Sequence, residues 1–469
     1  MKITSRFAIL PVNRRSPGVM VLKNGEKEVY AFHISYAPDD PEYLVYADLR
    51  SFLGQDLSFF YNGRKIAPPS LSGEASVDSG DRPRVHFTAP WGWINDPNGL
   101  SLYRGKYRLF CQHNPFGDVW GNMHWGYAES ENLLTWTWKG EALYPERIDS
   151  TEFSGSAVVD EDNTAGFGCG AHILIYTEAD ETNGFTQNLA WSSDGEHYEK
   201  YAGNPVIPTI CRTNRDPKVI RHPDTKRWIL ALYLEGDEFA LFSSDNLLSW
   251  QMIQRFSFPE ANECPDFFPL QTPEGEEKWV FWEAGGKYLI GDFDGRRFTF
   301  ENRRRELTKR NAETAAYAAQ TVSGDPKGRR LLIFWEKTEM KGLPYTSQHS
   351  IPLSLSLIRA DGECKLRASL PSEITERLAA KNAGDDLPFV FRTALNDPVR
   401  LGAHLLTRTE NGIALDGKPA EAGSGEILFI ADRHSLEFLA DGGTTFGLWE
   451  AGIDLKELPE GAEAYSIQI

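Results

Sequence analysis

Short apolar runs separated by turn-forming residues make up most of this chain. Residues 106–112 alternate apolar and polar positions, and residues 435–440 form an apolar run that ends in an Asp-Gly-Gly turn. A period of two predicts β-strands, and short strands between frequent turn signals are typical of all-β domains. The pattern therefore predicts an all-β protein.

An internal repeat runs through the middle of the chain, and each copy joins a polar turn to a following aromatic residue. The copies are residues 129–136, 192–198, 243–250 and, more weakly, 292–298. Their aromatic residues are roughly 50 to 60 positions apart, somewhat more than one four-stranded propeller blade requires. The repeat predicts a β-propeller with loop insertions; a β-sandwich with similar hairpins is the alternative.

The pattern changes twice and divides the chain into three predicted domains. Residues 1–84 form a small N-terminal β-rich domain, either a carbohydrate-binding module or a structural cap on the next domain. Residues 85–350 carry the repeat, and residues 351–469 have the strand pattern of a C-terminal β-sandwich with one short helix over 371–381. The polar stretch 68–83 is the predicted linker.

Composition and charge limit the classes of substrate and partner that are expected. The 469 residues carry a net charge of −18, and no run of Lys and Arg stands out. The chain thus lacks the basic surface that binds nucleic acid or an anionic membrane, and a neutral or small polar substrate is expected. Aromatic residues make up 12% of the chain, which suits a β-rich protein and sugar-stacking surfaces.

The N-terminal residues contain no apolar core of a signal peptide, and no run approaches the roughly 18 apolar residues of a spanning helix. A cytoplasmic protein is therefore expected; if a leader has been removed, the protein is secreted. The five cysteines are scattered without CxxC or Cys/His metal spacing, so neither structural disulfides nor a zinc site is expected.

Three carboxylates have similar local sequences. Asp96 lies in Trp-Ile-Asn-Asp-Pro-Asn-Gly, Asp216 in Asn-Arg-Asp-Pro and Glu263 in Asn-Glu-Cys-Pro, each with a proline one or two positions later. Their separations are close to whole numbers of repeats, and equivalent positions of propeller blades converge on the axis. The trio is predicted to be catalytic; taken singly, each could be a turn or capping carboxylate, and Arg215 a local ion-pair partner of Asp216.

Turn formers follow Asp96 directly. Pro97 disfavours the α region at Asp96 and so restricts the direction of its side chain. The pair Asn98-Gly99 predicts a turn, Arg104-Gly105 predicts a second turn, and residues 106–112 are expected to return as a strand.

These motifs resemble the three signatures of glycoside hydrolase family 32, which contains invertases, levanases and exo-inulinases. The resemblance covers about residues 85–469 and includes the segments 112–115, 120–126, 153–157 and 432–438. It implies a five-bladed β-propeller that carries the active site, a C-terminal β-sandwich, and hydrolysis of β-fructofuranosides with retention of configuration.

The resemblance also implies roles. Retaining hydrolysis needs an ionised nucleophile and a protonated general acid about 5 to 5.5 Å apart. Asp96 would be the nucleophile and Glu263 the acid/base, while Asp216 would bind the fructosyl hydroxyls and stabilise the transition state. Arg215 is expected to help keep Asp216 ionised, whereas Glu263 must hold its proton. No cofactor and no metal ion is expected.

A fructosyl subsite is implied as well. Its predicted substrate-binding residues are Asn95, Gln112, Trp120, Phe153, Ser154, Arg215 and Trp335. The sequence departs from the family pattern at Asn262, where many relatives have an aromatic residue or Met, and in residues 336–345, which lack the usual spacing and Trp. The departures concern the part of the site that selects the leaving group.

The predicted function is that of a retaining, exo-acting β-fructofuranosidase on levan, inulin, fructo-oligosaccharides and sucrose. A funnel closed by the Asp96 strand and walled by Trp120 and a loop at Phe153-Ser154 would admit one terminal fructosyl unit. The alternatives are a fructosyltransferase and a catalytically silent fructan-binding protein. The expected partner is a fructan substrate, without nucleic acid or membrane; linkage preference and oligomeric state stay open.

Overall fold

The computed structural model describes the chain except residues 16, 77–79, 181, 183, 302, 309–315 and 361, and β-strands dominate it. In this described part, helical structure is limited to the α-helix Ser372–Thr375 and the 3-10 turns Arg50–Phe52 and Asp441–Gly443. None of these described helices is long and apolar enough to span a membrane. The all-β prediction is confirmed. The helix expected over 371–381 is shorter than predicted, because Leu378–Ala380 is a strand.

The N-terminal residues fold into two small antiparallel sheets around one core. The first sheet contains Tyr43–Asp48, Phe7–Val12 and Leu71–Ser72; the second contains Lys27–Ile34, Gly18–Asn24, Ser58–Tyr61 and Arg64–Lys65. Buried Phe32 and Phe59 belong to their core, as do Trp91 and Phe116 from beyond residue 84. Phe32 stacks on Phe116 with ring centroids 3.6 Å apart. The N-terminal unit therefore shares its core with the next part of the chain.

Five antiparallel sheets follow one another along the middle of the chain, and we number them I to V. Sheet I contains Gly92–Tyr103, Lys106–Asn114, His124–Ser130 and Thr137–Leu143, with Tyr345–Thr346 parallel to its first strand. Sheet II contains Ser150–Asp160, Ala171–Asp180, Gly184–Ser192 and Glu199–Lys200. Sheet III contains Arg215–Arg221, Trp228–Tyr233, Glu238–Ser244 and Gln251–Ser257.

Sheets IV and V keep the same order of strands. Sheet IV contains Asp266–Gln271, Glu277–Trp282, Lys287–Phe293 and Phe298–Phe300, with Arg305–Glu306 beside the third strand. Sheet V contains Ala316–Thr321, Arg330–Glu336, Leu353–Ala360 and Glu363–Ser369, with Gln348–His349 beside the second strand. Residues after 350 were predicted to belong to the C-terminal domain, but Leu353–Ala360 pairs with Arg330–Glu336. Its apolar alternation is the same in either sheet, so the pattern could not locate the boundary.

The sequence repeat corresponds to one turn that recurs between the third and fourth strands of sheets I to IV. In sheets I, II and III, a serine hydroxyl at the end of the third strand accepts the backbone N–H three positions later, at Leu133, Gly195 and Leu247, over 2.8 to 2.9 Å. These three residues have φ of 66°, 81° and 64°. In sheet IV, Asp294 accepts the N–H groups of Arg296 and Arg297 instead. Successive copies of the repeat therefore occupy equivalent places in successive sheets.

The first strand of sheet I is continuous, and the turn predicted at Asn98-Gly99 is wrong. Gly99 has φ of 53° inside the strand, and a Cβ there would lie 2.7 Å from the ring of Phe110. The glycine thus admits an irregularity in the strand and does not reverse the chain. The reversal occurs at the second predicted turn, where Arg104 and Gly105 have φ of 49° and 79°.

Two sheets form the C-terminal part. The larger has six strands, Leu378–Ala380, Ala464–Ile467, Phe389–Thr393, Ile427–Asp432, Ser435–Ala440 and Thr445–Glu450. The smaller has Val399–Leu401, His404–Thr409, Gly412–Leu415 and Lys418–Glu421. Phe429 of the larger and Leu406 of the smaller sheet share one core. The other face of the larger sheet packs on sheet V, because Leu428 and Phe446 belong to a core with Phe334 and Leu355.

Candidate active site

Several of the predicted site residues lie in the first strands of the central sheets, at breaks in the strand pairing. Register shifts occur between Ile94 and Pro97 in sheet I, between Phe153 and Gly155 in sheet II, and between Arg215 and Lys218 in sheet III. Sheet V has a further shift between residues 317 and 320. Bulges turn side chains away from the regular alternation of a strand and are frequent beside active sites. Here they aim side chains from several sheets at one place.

Cys264 lies where the three predicted carboxylates meet. Its thiol lies 3.4 Å from Oδ2 of Asp96 and 3.5 Å from Oδ2 of Asp216, and its backbone N–H donates to the same Asp216 oxygen over 3.1 Å. Arg215 joins Glu263 to the group, since its Nε lies 2.9 Å from Glu263 and 3.6 Å from Asp216. The structure therefore brings together all three carboxylates that the sequence singled out.

Three residues of this pocket have backbone conformations that are unusual for residues other than glycine. Asp216, Cys264 and Ala318 have φ of 64°, 51° and 50°, and all three line the pocket that holds Asp96. Such conformations cost free energy and persist only where the surrounding structure holds them, most often at functional sites.

Hydrogen-bond donors surround Asp96. Ser154 donates to its Oδ2 over 2.6 Å and Asn95 to its Oδ1 over 3.2 Å. Gln112 orients both donors, because its Nε2 donates to Ser154 and its Oε1 accepts from Asn95. Burial raises the pKa of Asp96, and the charge of Glu263 adds to the rise, whereas Ser154, Asn95 and Cys264 lower it. These donors favour the ionised form that a nucleophile requires.

Burial also raises the pKa of Asp216, to about 7. Arg215 opposes this rise, while the charges of Glu263 and Asp96 add to it. The side chain of Asp216 is only 6% exposed, so loss of hydration outweighs the nearby guanidinium. Arg215 therefore favours the ionised form of Asp216, as expected, but does not offset the effect of burial.

Two hydrogen bonds of the Arg215 guanidinium go to Glu263, although Asp216 is its neighbour in the sequence. Its Nε and Nη2 donate to Oε2 of Glu263 over 2.9 and 2.5 Å, and its guanidinium lies 4.6 Å from the ring centroid of Tyr233. Tyr317 donates its hydroxyl to Oε1 of Glu263 over 2.8 Å. Two oxygens of one carboxylate thus have separate partners from sheets III and V.

Tyr317 and Tyr233 were not among the sequence-predicted site residues. Tyr317 lies in the first strand of sheet V, in the place that corresponds to the motif-bearing strands of sheets I to III. The sequence repeat has only four recognisable copies, and none of them lies near Tyr317. No sequence pattern therefore marked this strand as part of the site. Tyr233 ends the second strand of sheet III, where only the fold brings its ring beneath Arg215.

The predicted aromatic residues lie on two sides of the pocket. Trp335 makes edge contacts with Trp93 and Tyr317, with ring centroids 6.0 and 6.4 Å apart. Trp120 is 56% exposed and contacts the edge of Phe153 at 6.1 Å. Exposed indole rings beside carboxylates suit stacking on a sugar. Phe153 and Ser154 belong to the first strand of sheet II, not to a loop as predicted.

A group of side chains with the spacing of metal ligands lies outside the pocket of the three carboxylates. Among the described residues, His86, Glu336 and Glu437 have ligand atoms within 4.8 Å of one another, and the three pocket carboxylates do not form such a group. The sequence showed no metal-ligand set because these three residues are far apart along the chain.

A model of a known protein family matches residues 86–367, namely the N-terminal domain of glycosyl hydrolases family 32. The levanase of Bacillus subtilis (strain 168) is 38% identical over 309 residues, covering 60% of this chain and 45% of the levanase. Invertase 1 of Saccharomyces cerevisiae is 34% identical over 298 residues, covering 56% of this chain and 55% of the invertase. The chain spans about half the length of these curated relatives.

The fold is similar to that of a solved exo-inulinase from Aspergillus awamori. The TM-score is 0.71 at 23% sequence identity, and the match covers 84% of this chain and 99% of the inulinase. The family match spans more than half of the chain and contains all three pocket carboxylates. The chain therefore belongs to glycosyl hydrolase family 32.

Proposed function

We propose that this protein is a retaining, exo-acting β-fructofuranosidase that removes terminal fructosyl units from levan, inulin, fructo-oligosaccharides and sucrose. The observation that carries the proposal is the contrast between two carboxylates in one pocket. Asp96 is surrounded by neutral donors, while Glu263 lies between Arg215 and Tyr317. Relatives named levanase and invertase support the choice of substrate.

Asp96 acts as the nucleophile. It attacks the anomeric carbon of the fructosyl unit, and the bond from that carbon to the leaving-group oxygen breaks. Ser154 and Asn95 hold the carboxylate in one orientation, so little rearrangement is needed before attack. The product of this step is an ester between Asp96 and the sugar.

Glu263 supplies and recovers the proton. In the first step its carboxyl group protonates the departing oxygen; in the second it takes a proton from the water that attacks the anomeric carbon and releases fructose. Its side chain is 25% exposed, so a leaving group and a water molecule can reach it. Arg215 stabilises the ionised form that Glu263 has between the two steps.

Asp216 binds the sugar hydroxyls. It lies against Asp96 through the shared Cys264 thiol, and its backbone N–H donates to Thr177 over 3.0 Å. A carboxylate held this rigidly strengthens its interaction as positive charge develops on the ring, and so favours the transition state over the bound substrate.

We further propose a five-bladed propeller followed by a β-sandwich. The five successive four-stranded sheets, with contacts between the first strands of sheets I, II and III, support the propeller. The core shared by the two C-terminal sheets supports the sandwich. Because Glu363–Ser369 completes sheet V, the domain division that we propose is 1–84, 85–370 and 371–469.

For the N-terminal domain, a structural cap is supported over a carbohydrate-binding module. Its core includes Trp91 and Phe116 of the following domain, and Tyr30 hydrogen-bonds His124 over 2.7 Å. A cap of this kind adds to the wall beside Trp120, which favours a closed pocket and exo-action. The cytoplasmic location stays a prediction.

Digestion of levan, inulin and sucrose to a few per cent conversion, with chromatography of the products, tests the proposal. Free fructose from the first turnovers is expected, and NMR of the nascent sugar should show the β-anomer. Early oligosaccharides of mixed length would exclude exo-action. New fructosyl-oligosaccharides at high sucrose would favour the transferase, and binding without any product, equal to that of Asp96→Asn, would favour a silent binding protein.

A further inference from the structure

Three fully buried side chains from distant parts of the chain meet between sheet V and the larger C-terminal sheet. His86 precedes sheet I, Glu336 ends the second strand of sheet V, and Glu437 lies in the strand Ser435–Ala440. Nε2 of His86 lies 3.4 Å from Oε2 of Glu437 and 3.8 Å from Oε1 of Glu336. We propose that these three residues bind a structural divalent cation, with zinc the ion that fits best.

The carboxylate oxygens in this group lack hydrogen-bond donors. Both side-chain oxygens of Glu437 and Oε1 of Glu336 are inaccessible to solvent and accept no hydrogen bond from the described residues. Buried carboxylates are normally paired or bound to metal, because an uncompensated buried charge is very costly. Among the described residues, His86 would pair with two of these oxygens only if protonated, with Nε2 3.4 and 3.8 Å away, and a bound cation would compensate both glutamates instead.

His86 has the orientation of a metal ligand. Its Nδ1 lies 2.9 Å from Oδ2 of Asp432, and Asp432 also accepts the backbone N–H groups of Arg84 and Val85. A proton on Nδ1 is therefore held by Asp432, which leaves Nε2 facing the two glutamates and, at 3.5 Å, the hydroxyl of Ser435. Metal-binding histidines usually donate their other N–H to a carboxylate in this way.

The distances suit a four-coordinate ion. Zinc binds nitrogen and oxygen at about 2.0 to 2.2 Å, so tetrahedral neighbours are about 3.3 to 3.5 Å apart. The distances from Nε2 of His86 to Glu437 and Glu336, 3.4 and 3.8 Å, would have to change only slightly for all three residues to bind one ion. Nε2 of His86, Oε1 of Glu336 and one carboxylate oxygen of Glu437 would supply three of the four ligands. Gln348 fixes Glu336 by donating to its other oxygen over 2.6 Å.

The charges balance without a protonated histidine. Two ionised glutamates carry the two negative charges that a divalent cation neutralises. Without an ion, the two carboxylates and Nε2 of His86 would face one another within 4.8 Å. One proton shared by the glutamates is the competing arrangement, and it predicts a protein that contains no metal.

A bound ion would join three parts of the chain. Glu336 follows Trp335 of the sugar-binding pocket, Glu437 belongs to the C-terminal sheet, and His86 leads into the strand that carries Asp96. The ion would hold the C-terminal domain on the central sheets. Its proposed role is structural, so the proposal stands independently of the activity.

The test begins with protein purified through a tag without histidine and analysed by inductively coupled plasma mass spectrometry. We expect about one equivalent of a divalent metal, a lower Tm after removal with a chelator, and recovery of the Tm with one equivalent of Zn²⁺. Glu437→Gln and Glu336→Gln keep side-chain size, and both should lose the metal and the response of the Tm. Glu426→Gln, an exposed glutamate near the same sheet, is the matched control and should keep both.

The proposal is overturned if protein from metal-replete medium contains no stoichiometric metal and its Tm does not respond to Zn²⁺. Metal content unchanged in both glutamine variants would equally overturn it. If a variant fails to fold, replacement of the ion by Co²⁺ in the wild type decides. Intense visible absorption of a four-coordinate Co²⁺ is expected, and its absence would contradict the site.

Discussion

Arg14 of the N-terminal domain binds Asp118, two residues before Trp120, with 2.6 Å between Nε and Oδ2. Tyr43 donates to the other oxygen of Asp118 over 3.1 Å, and Arg14 also donates to the carbonyl of Leu343 over 3.3 Å. The N-terminal domain thus holds the loop that presents the exposed indole of Trp120. The guanidinium of Arg14 also connects this loop to Leu343, in the segment that follows the second strand of sheet V.

Arg14→Ala is therefore expected to raise KM for fructo-oligosaccharides while kcat changes little. The effect should be roughly twofold to fivefold, which corresponds to the ~0.5 to 1 kcal/mol of a partly exposed ion pair. Steady-state kinetics measure it. The matched control is Arg15→Ala, which removes an exposed pair with Asp40 and should leave KM unchanged. Equal KM values for both variants would show that Arg14 does not position the Trp120 loop.

Asp96→Asn and Glu263→Gln should each lower kcat by about 10²- to 10⁴-fold, since one removes the nucleophile and the other the proton donor. Both side chains are partly exposed and carry no part of the apolar cores, so the Tm should stay close to that of the wild type. Rates at saturating sucrose and thermal melts measure the two effects. A variant that keeps more than about a tenth of wild-type kcat at an unchanged Tm would lose its assigned role.

Asp216→Asn is expected to lower kcat more than it raises KM. The proposed contacts of Asp216 strengthen as charge develops on the sugar ring, so their loss affects the transition state more than the bound substrate. Separate determination of kcat and KM on sucrose distinguishes this from uniform binding. A pure KM effect would make Asp216 an ordinary binding residue.

The same substitution should change how stability depends on pH. Because the folded-state pKa of Asp216 is raised from 3.8 to about 7, the folded protein holds this proton more tightly than the unfolded chain. Its contribution to stability is complete below about pH 4 and is lost as pH rises through about 7. The Tm of Asp216→Asn relative to the wild type should therefore increase between pH 4 and 7. A constant difference would contradict the raised pKa.

Tyr317→Phe should lower kcat/KM about tenfold or more, because a hydrogen bond to a charged group contributes about 1.5 to 3 kcal/mol. The variant removes only the hydroxyl that donates to Glu263. Tyr233→Phe is a suitable control, since its ring lies under Arg215 but its hydroxyl donates to Gly236, over 3.4 Å. If both variants behaved alike, the hydroxyl of Tyr317 would have no special part in catalysis.

Features that depend on residues near one another in the chain could be predicted from the amino-acid sequence. The turn of the repeat is local, since a Ser or Asp side chain accepts backbone N–H groups two or three positions later, so its copies could be recognised without the fold. The alternation of apolar residues determined the all-β class for the same reason. The motifs around Asp96, Asp216 and Glu263 also identified the family, which the match over residues 86–367 confirmed.

The pairing of side chains across the sheets could not be predicted and depends on the packing of the whole fold. Asp216 is the sequence neighbour of Arg215, yet the guanidinium binds Glu263, because a bulge and a positive φ turn Asp216 into the pocket. Tyr317 reaches Glu263 from another sheet, and His86 meets Glu437 across some 350 positions. Such contacts depend on how sheets pack and where their strands bulge, and no local pattern of residues encodes either property.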